Sequence, residues 1–398
     1  MKKKNNYFLI ITLLVNILTV IACSNAEKKQ QKVVQKAINR DSLALIYNVD
    51  EGDSVIHEIM LRLHERSGFN GNVLVAKKGK ILYQNTFGWA DYLMRDSLKI
   101  DSRFELASAS KPFTAMGIMK LVEKGKLRLD QTVNDFYPEF PYPEVTIRQL
   151  LSHRSGLPDY IYFLDGIWED KKVGVTNQEA MRLLIEHKPM RYGVPDGKHF
   201  YNNTNFMVLA SIIEKVTEQD FAVYMQDEIF QPAGMKNTAF LSKSVYDKIP
   251  TDVIGHDKIW RRSVVQNFLD GPLGDKGMYS TVQDLYLFDI ALRDGRVVNP
   301  ALADSTYVER TGKLDRSLFG YGYGWRLFEY PDNPIVYHTG WWHGFKSLYV
   351  RDLNNEITIV LLTNMANNSL NNLDKLYEYL EMPVLRKGVY NSNGQRIK

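Results

Sequence analysis

A serine with a lysine three residues later can form a nucleophile and its base, and Ser108-Ala109-Ser110-Lys111 is the only such spacing in the chain. A serine hydroxyl is a poor nucleophile until a neighbour takes its proton, and a desolvated lysine can do so. Pro112 suits the first turn of a helix, and Phe113, Met116, Met119, Leu121 and Val122 continue as an apolar stripe up to Gly125. Ser108 is therefore expected at a helix N-terminus, where unpaired amides favour negative charge, with Lys111 one turn on and facing it. A second group is Tyr201-Asn202-Asn203, just ahead of an apolar helix carrying Phe206, Leu209, Ile212, Ile213 and Val216. On a loop, Tyr201 can relay a proton and Asn203 can donate to a substrate amide or to Lys111. Tyr83-Gln84-Asn85 has the same spelling but lies within an expected strand. The third group, His338-Thr339-Gly340, ends a strand-like run. Gly340 would let a ligand lie against the strand, Thr339 offers a hydroxyl, and His338 offers a donor that can be cationic. Each group alone has an ordinary reading: a solvated helix start, a half-buried tyrosine, a packed strand histidine.

The elements that would position them can be read from spacing. Asp53-Ser54 are good caps for a helix in which Ile56, Ile59, Met60 and Leu63 recur on one face, closed by Gly68. Asn72–Ala76 and Ile81–Trp89 read as strands joined by Lys77-Lys78-Gly79-Lys80. Near the other end Ile335–Thr339, Phe345–Arg351 and Glu356–Thr363 are strand-like, and Leu370, Leu373, Tyr377 and Leu380 mark a further helix. Strands at both ends and a helix-rich middle predict an α/β (α+β) fold: one antiparallel sheet flanked by helices, with a helical subdomain inserted.

In this order the three groups resemble the motifs of the serine β-lactamase, penicillin-binding protein and esterase superfamily, in its class C branch. The likeness runs over residues 70–365. Leu150 to Pro158 resembles that branch's L-L-x-H-x-S-G-L-P segment, and Ile229 to Met235 its I-F-x-P-L-G-M, with Ala233 for leucine. Gly277 to Leu285 resembles G-x-x-S-T-x-x-D-L, where Ser280 and Gln283 spell a capping box, and Tyr321 to Trp325 matches Y-G-x-G-W. The resemblance implies acylation of Ser108 by a carbonyl substrate and hydrolysis of the acyl-enzyme, with Lys111 and Tyr201 sharing the proton work. Asn203, His338, Thr339, Gly340 and Trp341 would bind substrate, and the amides of Ser108 and Trp341 would hold the oxyanion. No metal or organic cofactor is required, and the histidines show no zinc spacing. Two departures stand out. Histidine replaces the lysine usual at position 338, and Trp341-Trp342-His343 replaces small residues. Both argue against an efficient penicillin-hydrolysing enzyme without choosing among substrates, and the resemblance implies a DD-peptidase- or esterase-like hydrolase of ester, amide or D-amino-acid peptide substrates. A true class C-type β-lactamase, or a penicillin-binding sensor or wall-binding protein that acylates without turnover, are the alternatives.

The N-terminus predicts where this happens. Lys2, Lys3 and Lys4 precede an apolar run from Tyr7 to Ala22, too short for an ordinary membrane span, which ends in Val20-Ile21-Ala22-Cys23. This resembles the lipobox of bacterial lipoproteins and implies lipidation of Cys23, the chain's only cysteine, and a membrane anchor in the cell envelope. The expected organisation is a signal peptide over 1–22, a polar tether over 23–50, a hydrolase domain over 51–385 and a polar tail over 386–398. The formal net charge is +4, three units of which belong to that leader, so electrostatic nucleic-acid binding has no support. The expected partners are a small-molecule or peptidoglycan-derived substrate and the membrane.

Overall fold

The computed structural model describes residues 41–398, apart from 43, 49–50, 260, 313–317, 332, 392–393 and 398. Cys23, the apolar leader and most of the expected tether lie outside the described residues. Asp41 to Ile46 belong to a unit separate from Tyr47–Lys398, and only the latter is considered further.

Asp53 caps helix α1 (Ser54–Ser67) by accepting from the amides of Val55 and Ile56, and Gly68 closes it in the left-handed conformation at φ 69°. Strands β1 (Gly71–Lys77) and β2 (Lys80–Phe87) form the expected hairpin. Helices α2 (Lys111–Glu123), α3 (Thr204–Thr217) and α4 (Val282–Arg293) follow. Strands β3 (Phe319–Tyr321), β4 (Arg326–Tyr330), β5 (Asn333–Trp342), β6 (Phe345–Asp352) and β7 (Ile357–Thr363) come next, then helix α5 (Asp374–Tyr379). The strands make one sheet in the order β2-β1-β7-β6-β5-β4-β3, antiparallel at every pairing. The two ends of the chain thus meet at β1 and β7, and the helix-rich middle is inserted between them, as the sequence predicts.

Strand alternation divides the core into two layers. Val73, Val75, Leu348, Val350, Ile359 and Leu361 pack on Ile56, Met60 and Leu63 of α1 and on Leu376 of α5. On the other face Phe113 of α2 lies 4.1 Å from Phe288 of α4 and 6.5 Å from Tyr349 of β6, ring to ring.

Some elements differ from expectation. The C-terminal helix is shorter, because Ser369–Asn371 is a separate 3-10 turn ahead of α5. Ser280 does not cap α4. It extends a short strand, Met278–Ser280, and its hydroxyl pairs with that of Thr238, while Thr281 caps the helix by accepting from the Asp284 amide. Strands β3 and β4 were not expected at all.

Candidate active site

Ser108 sits in a 3-10 turn, Ala107–Ser110, that runs directly into α2, with Pro112 in the first turn of that helix. Ala107 holds a left-handed φ of 51°, a conformation that costs a non-glycine residue roughly 1 kcal/mol and aims the next side chain. The turn packs against β5 so closely that a Cβ on Gly340 would fall 1.9 Å from the Leu106 carbonyl oxygen. The protein itself therefore occupies the space that the glycine was expected to leave for a ligand. Ser347 of β6 ties the same carbonyl down, its hydroxyl donating to Leu106 O at 2.6 Å.

Lys111 is fully buried, and its Nζ lies 3.1 Å from Ser108 Oγ, 2.9 Å from Asn203 Oδ1 and 3.0 Å from the Asp275 carbonyl oxygen. Asn203 stands at the N-cap position of α3 but makes no side-chain cap bond. Asp159 accepts from both its backbone N and its Nδ2, at 3.2 Å each, which turns Oδ1 toward Lys111. Asn203 thus accepts from the lysine rather than donating to it. Tyr201 lies on the loop before α3 with its ring centre 4.9 Å from Lys111 Nζ, and its buried hydroxyl has no hydrogen-bond partner. Tyr83, by contrast, sits in β2 with its hydroxyl 3.0 Å from His57 Nδ1, away from this cluster.

His338 is where expectation and structure part. Its imidazole is fully buried, and burial, then the charges of Arg326 and Lys111, hold its pKa well below the usual imidazole value. A directed hydrogen-bond chain shows why the ring is neutral. The Asn202 amide and Asn205 Nδ2 both point at His153 Nδ1, so that nitrogen accepts and Nε2 carries the proton. Nε2 of His153 donates to the Tyr321 hydroxyl at 3.2 Å, which donates to His338 Nε2 at 3.1 Å. His338 Nδ1 donates in turn to the Thr339 carbonyl at 2.8 Å. The reading of His338 as a cationic anchor is corrected: it is a neutral link in a buried chain.

Thr339 and Trp341 project from the opposite face of β5, Thr339 exposed and Trp341 70% exposed. A cavity of about 490 Å³ lies over Ser108, lined by Asn203, Tyr162, Lys276, Trp341, Trp342 and His343; Thr339 is not among its walls. Asp270 fixes the edge formed by Trp342 and His343: Trp342 Nε1 donates to it at 2.6 Å, and His343 Nδ1 lies 3.1 Å from its other oxygen. Behind that edge Glu105 is fully buried, and burial, then the nearby Asp270 charge, push its pKa up to about 8, with Lys276 opposing. β5 pairs with β4 only up to Tyr337, opposite Arg326, so among the described strands 338–342 pair on the β6 side alone. That leaves an open strand edge beside the nucleophile.

Several residues here carried no role in the sequence. Tyr321 and His153 lie inside recognised motifs, but only their spatial meeting reveals the chain they build. Arg326 directly follows the Y-G-x-G-W motif, and its guanidinium stands 5.0 Å from the Tyr201 ring centre. Among the described residues, no group of three or more His, Cys, Asp or Glu is placed to hold a metal.

A buried lysine bonded to a serine that follows a left-handed Ala107, with an asparagine and a tyrosine beside them, defines a serine hydrolase of the penicillin-recognising type. The β-lactamase family model matches residues 61–380, and the chain belongs to that family. Penicillin-binding protein 4* of Bacillus subtilis is 36% identical over 316 residues, covering 76% of this chain and 69% of the relative. Among solved structures, a penicillin-binding protein from Bacillus halodurans superposes with a TM-score of 0.71 at 24% identity, covering 84% of this chain and all of that one. The D-amino acid amidase of Ochrobactrum anthropi superposes at 0.70 with 24% identity, covering 83% and 99%. These two likenesses are of fold.

Proposed function

We propose that this enzyme hydrolyses ester, amide or D-amino-acid peptide substrates through an acyl-enzyme on Ser108, in the manner of a DD-peptidase or esterase. The observation that carries this reading is the 3.1 Å contact between Lys111 Nζ and Ser108 Oγ, with Asn203 and Asp275 holding the lysine in place. Ser108 Oγ attacks the substrate carbonyl carbon, and its proton passes through Lys111 and Tyr201 to the leaving alcohol or amine. Water then attacks the acyl carbon and its proton returns to Ser108, releasing the acid. The Tyr201 hydroxyl, which has no partner in the resting site, is available for that transfer. By resemblance, the amides of Ser108 and Trp341 receive the oxyanion; such donors are worth about 3 kcal/mol each. The open edge of β5 suits an extended, peptide-like acyl chain. Tyr162 and Trp342 make the cavity aromatic.

The enzyme works at the cell envelope, held to a membrane through lipidated Cys23. Replacing Cys23 with serine should release the protein from the membrane fraction; wild-type protein found unlipidated would refute the anchor. For the chemistry, steady-state turnover of a chromogenic ester is compared with that of a chromogenic cephalosporin, with intact-mass detection of acylated Ser108. Ester turnover exceeding cephalosporin turnover supports the hydrolase reading. Efficient cephalosporin turnover would make it a β-lactamase. A stable adduct without turnover would make it a sensor.

A further inference from the structure

We propose that Lys276 and Tyr160 are positioning residues that neutralise the Asp275 carboxylate, and so let the Lys111 amine stand uncharged and ready to take the Ser108 proton. The inference rests on the acyl-enzyme reading above and deepens it: a second buried lysine sets the charge of the first.

The Lys111 amine is gripped from two sides, by Asn203 Oδ1 at 2.9 Å and by the Asp275 carbonyl oxygen at 3.0 Å. An uncharged amine has two N–H bonds and a lone pair. These two acceptors take the N–H bonds, which leaves the lone pair for the Ser108 hydroxyl at 3.1 Å. Consecutive residues fix both acceptors. Asp159 accepts from Asn203, and the Tyr160 hydroxyl donates to Asp275 Oδ1 at 3.0 Å. Tyr160 is itself tied to the start of α3, its amide donating to Thr204 Oγ1 at 2.7 Å.

The difficulty is charge. The residue whose carbonyl holds Lys111 also carries a buried carboxylate, and an unmatched anion there would favour the ammonium form. Lys276 supplies the match. Its Nζ lies 3.6 Å from Asp275 Oδ2, with the two side chains 3% and 1% exposed. The same nitrogen donates to the Tyr160 hydroxyl, which passes the bond on to Asp275. Lys276 Nζ also stands 5.2 Å from the centre of the Trp342 ring, in the wall of the catalytic cavity. A buried ion pair adds little net stability, so its place beside the nucleophile's base points to chemistry.

Other charged or titratable groups face this amine from each element packed around it. Asp159 is the second acid, its carboxyl raised above the ordinary range by burial, with the Asn203 amide opposing. His153 and His338 are neutral, held far down by burial and then by Lys111 and Arg326 respectively. The Tyr201 ring centre is 4.9 Å from Lys111 Nζ and 5.0 Å from the Arg326 guanidinium. Glu105 and Asp270 lie beyond Lys276. Among these groups Lys276 is the cation paired with Asp275.

The test measures kcat/KM for an uncharged chromogenic ester from pH 5.5 to 9.5, with a melting curve for each protein. Lys276→Met should move the acid limb to higher pH. At pH 6.5 the value should fall about tenfold, against less than about threefold at the top of the profile. Asp275→Asn keeps the carbonyl but leaves Lys276 unmatched, so its limb should move the opposite way. The double variant Lys276→Met/Asp275→Asn should bring the limb back close to wild type. Tyr160→Phe, which loses only the bridging hydroxyl, should follow Lys276→Met with a smaller shift. The opposed shifts of Asp275→Asn and Tyr160→Phe decide the matter even where Lys276→Met does not fold. Losses of equal size at every pH, or shifts of one sign in all the single variants, would reduce the cluster to a support for the cavity wall and overturn the assignment. A wild-type enzyme that turns over no ester at any pH would instead sink the acyl-enzyme reading, and this inference with it.

Discussion

Two buried basic groups lie on the helical face of the same sheet and are treated in opposite ways. Arg351 of β6 is fully buried and fully engaged. Its Nε donates to Asp289 at 2.5 Å, a second nitrogen donates to the Tyr307 hydroxyl, and Asp289 also accepts from Arg293 and Thr358. Burial raises the Asp289 pKa, but Arg351 and then Arg293 outweigh it and hold the carboxyl below its ordinary value. Every partner there is a protein group, so nothing is left to react. Around Lys111 one of the three partners is the Ser108 hydroxyl, which must give up its proton to attack, and the adjacent tyrosine hydroxyl has no partner. Saturation marks a structural charge, and an unfilled valence beside a nucleophile marks a chemical one.

The comparison can be broken from either side. The largest effect expected is on turnover: Ser108→Ala or Lys111→Ala should cut kcat by about a thousandfold or more, read on a chromogenic ester. The same variants should melt within a few degrees of wild type. Near-normal turnover in the lysine variant would remove Lys111 from the mechanism. Arg351→Ala should do the reverse. Leaving Asp289 buried with one partner fewer should cost about 3–5 kcal/mol in urea unfolding, with kcat per folded molecule retained. A stable Arg351→Ala protein would mean that this cluster is not the anchor its geometry suggests.

Smaller effects sharpen the contrast. From sequence alone, His338→Lys is expected to shift a carboxylate-dependent profile to higher pH and to favour β-lactam acylation. Given the buried chain, the substitution instead breaks the bonds to Tyr321 and to the Thr339 carbonyl and adds a third cation near Lys111 and Arg326. A loss of about 1–3 kcal/mol in stability, seen equally with charged and neutral substrates, is the expected result. A gain confined to carboxylate substrates would restore the anchor role to position 338.

The smallest effect concerns Glu105, whose folded pKa of about 8 lies above its ordinary value. The folded state therefore holds a proton that the unfolded chain releases at lower pH, so wild-type stability should decline as pH rises from about 5 to about 8. Glu105→Gln should flatten that slope in a Tm-versus-pH series. An unchanged slope would show that the carboxyl is ionised in the fold.

What the sequence disclosed follows a physical pattern. Ser108 and Lys111 are one helical turn apart, so their meeting is a local fact. The α1 caps, the β1–β2 hairpin and the β5–β7 strands are local as well. The charge of His338 is not local, since it depends on burial and on Tyr321 and His153, the latter distant in the chain. Strands β3 and β4 are hard to read from sequence because β3 has three residues, too few to display an alternating pattern, and because Gly322 and Gly324 interrupt the run between them. Missing β4 meant missing Arg326. The capping box at Ser280 failed by one residue, since Thr281 has equal chemistry and the right backbone angles, φ −111° and ψ 162°.

The half-paired strand β5 has one more consequence. A docking edge made of amides and carbonyls reads no side chains, so it grips many extended chains about equally well. Under the proposed function, discrimination is then delegated to the side chains that flank the edge, Tyr162 and Trp342 among them. Such a division lets a lineage change its diet by altering two or three flanking positions while its catalytic centre stays untouched.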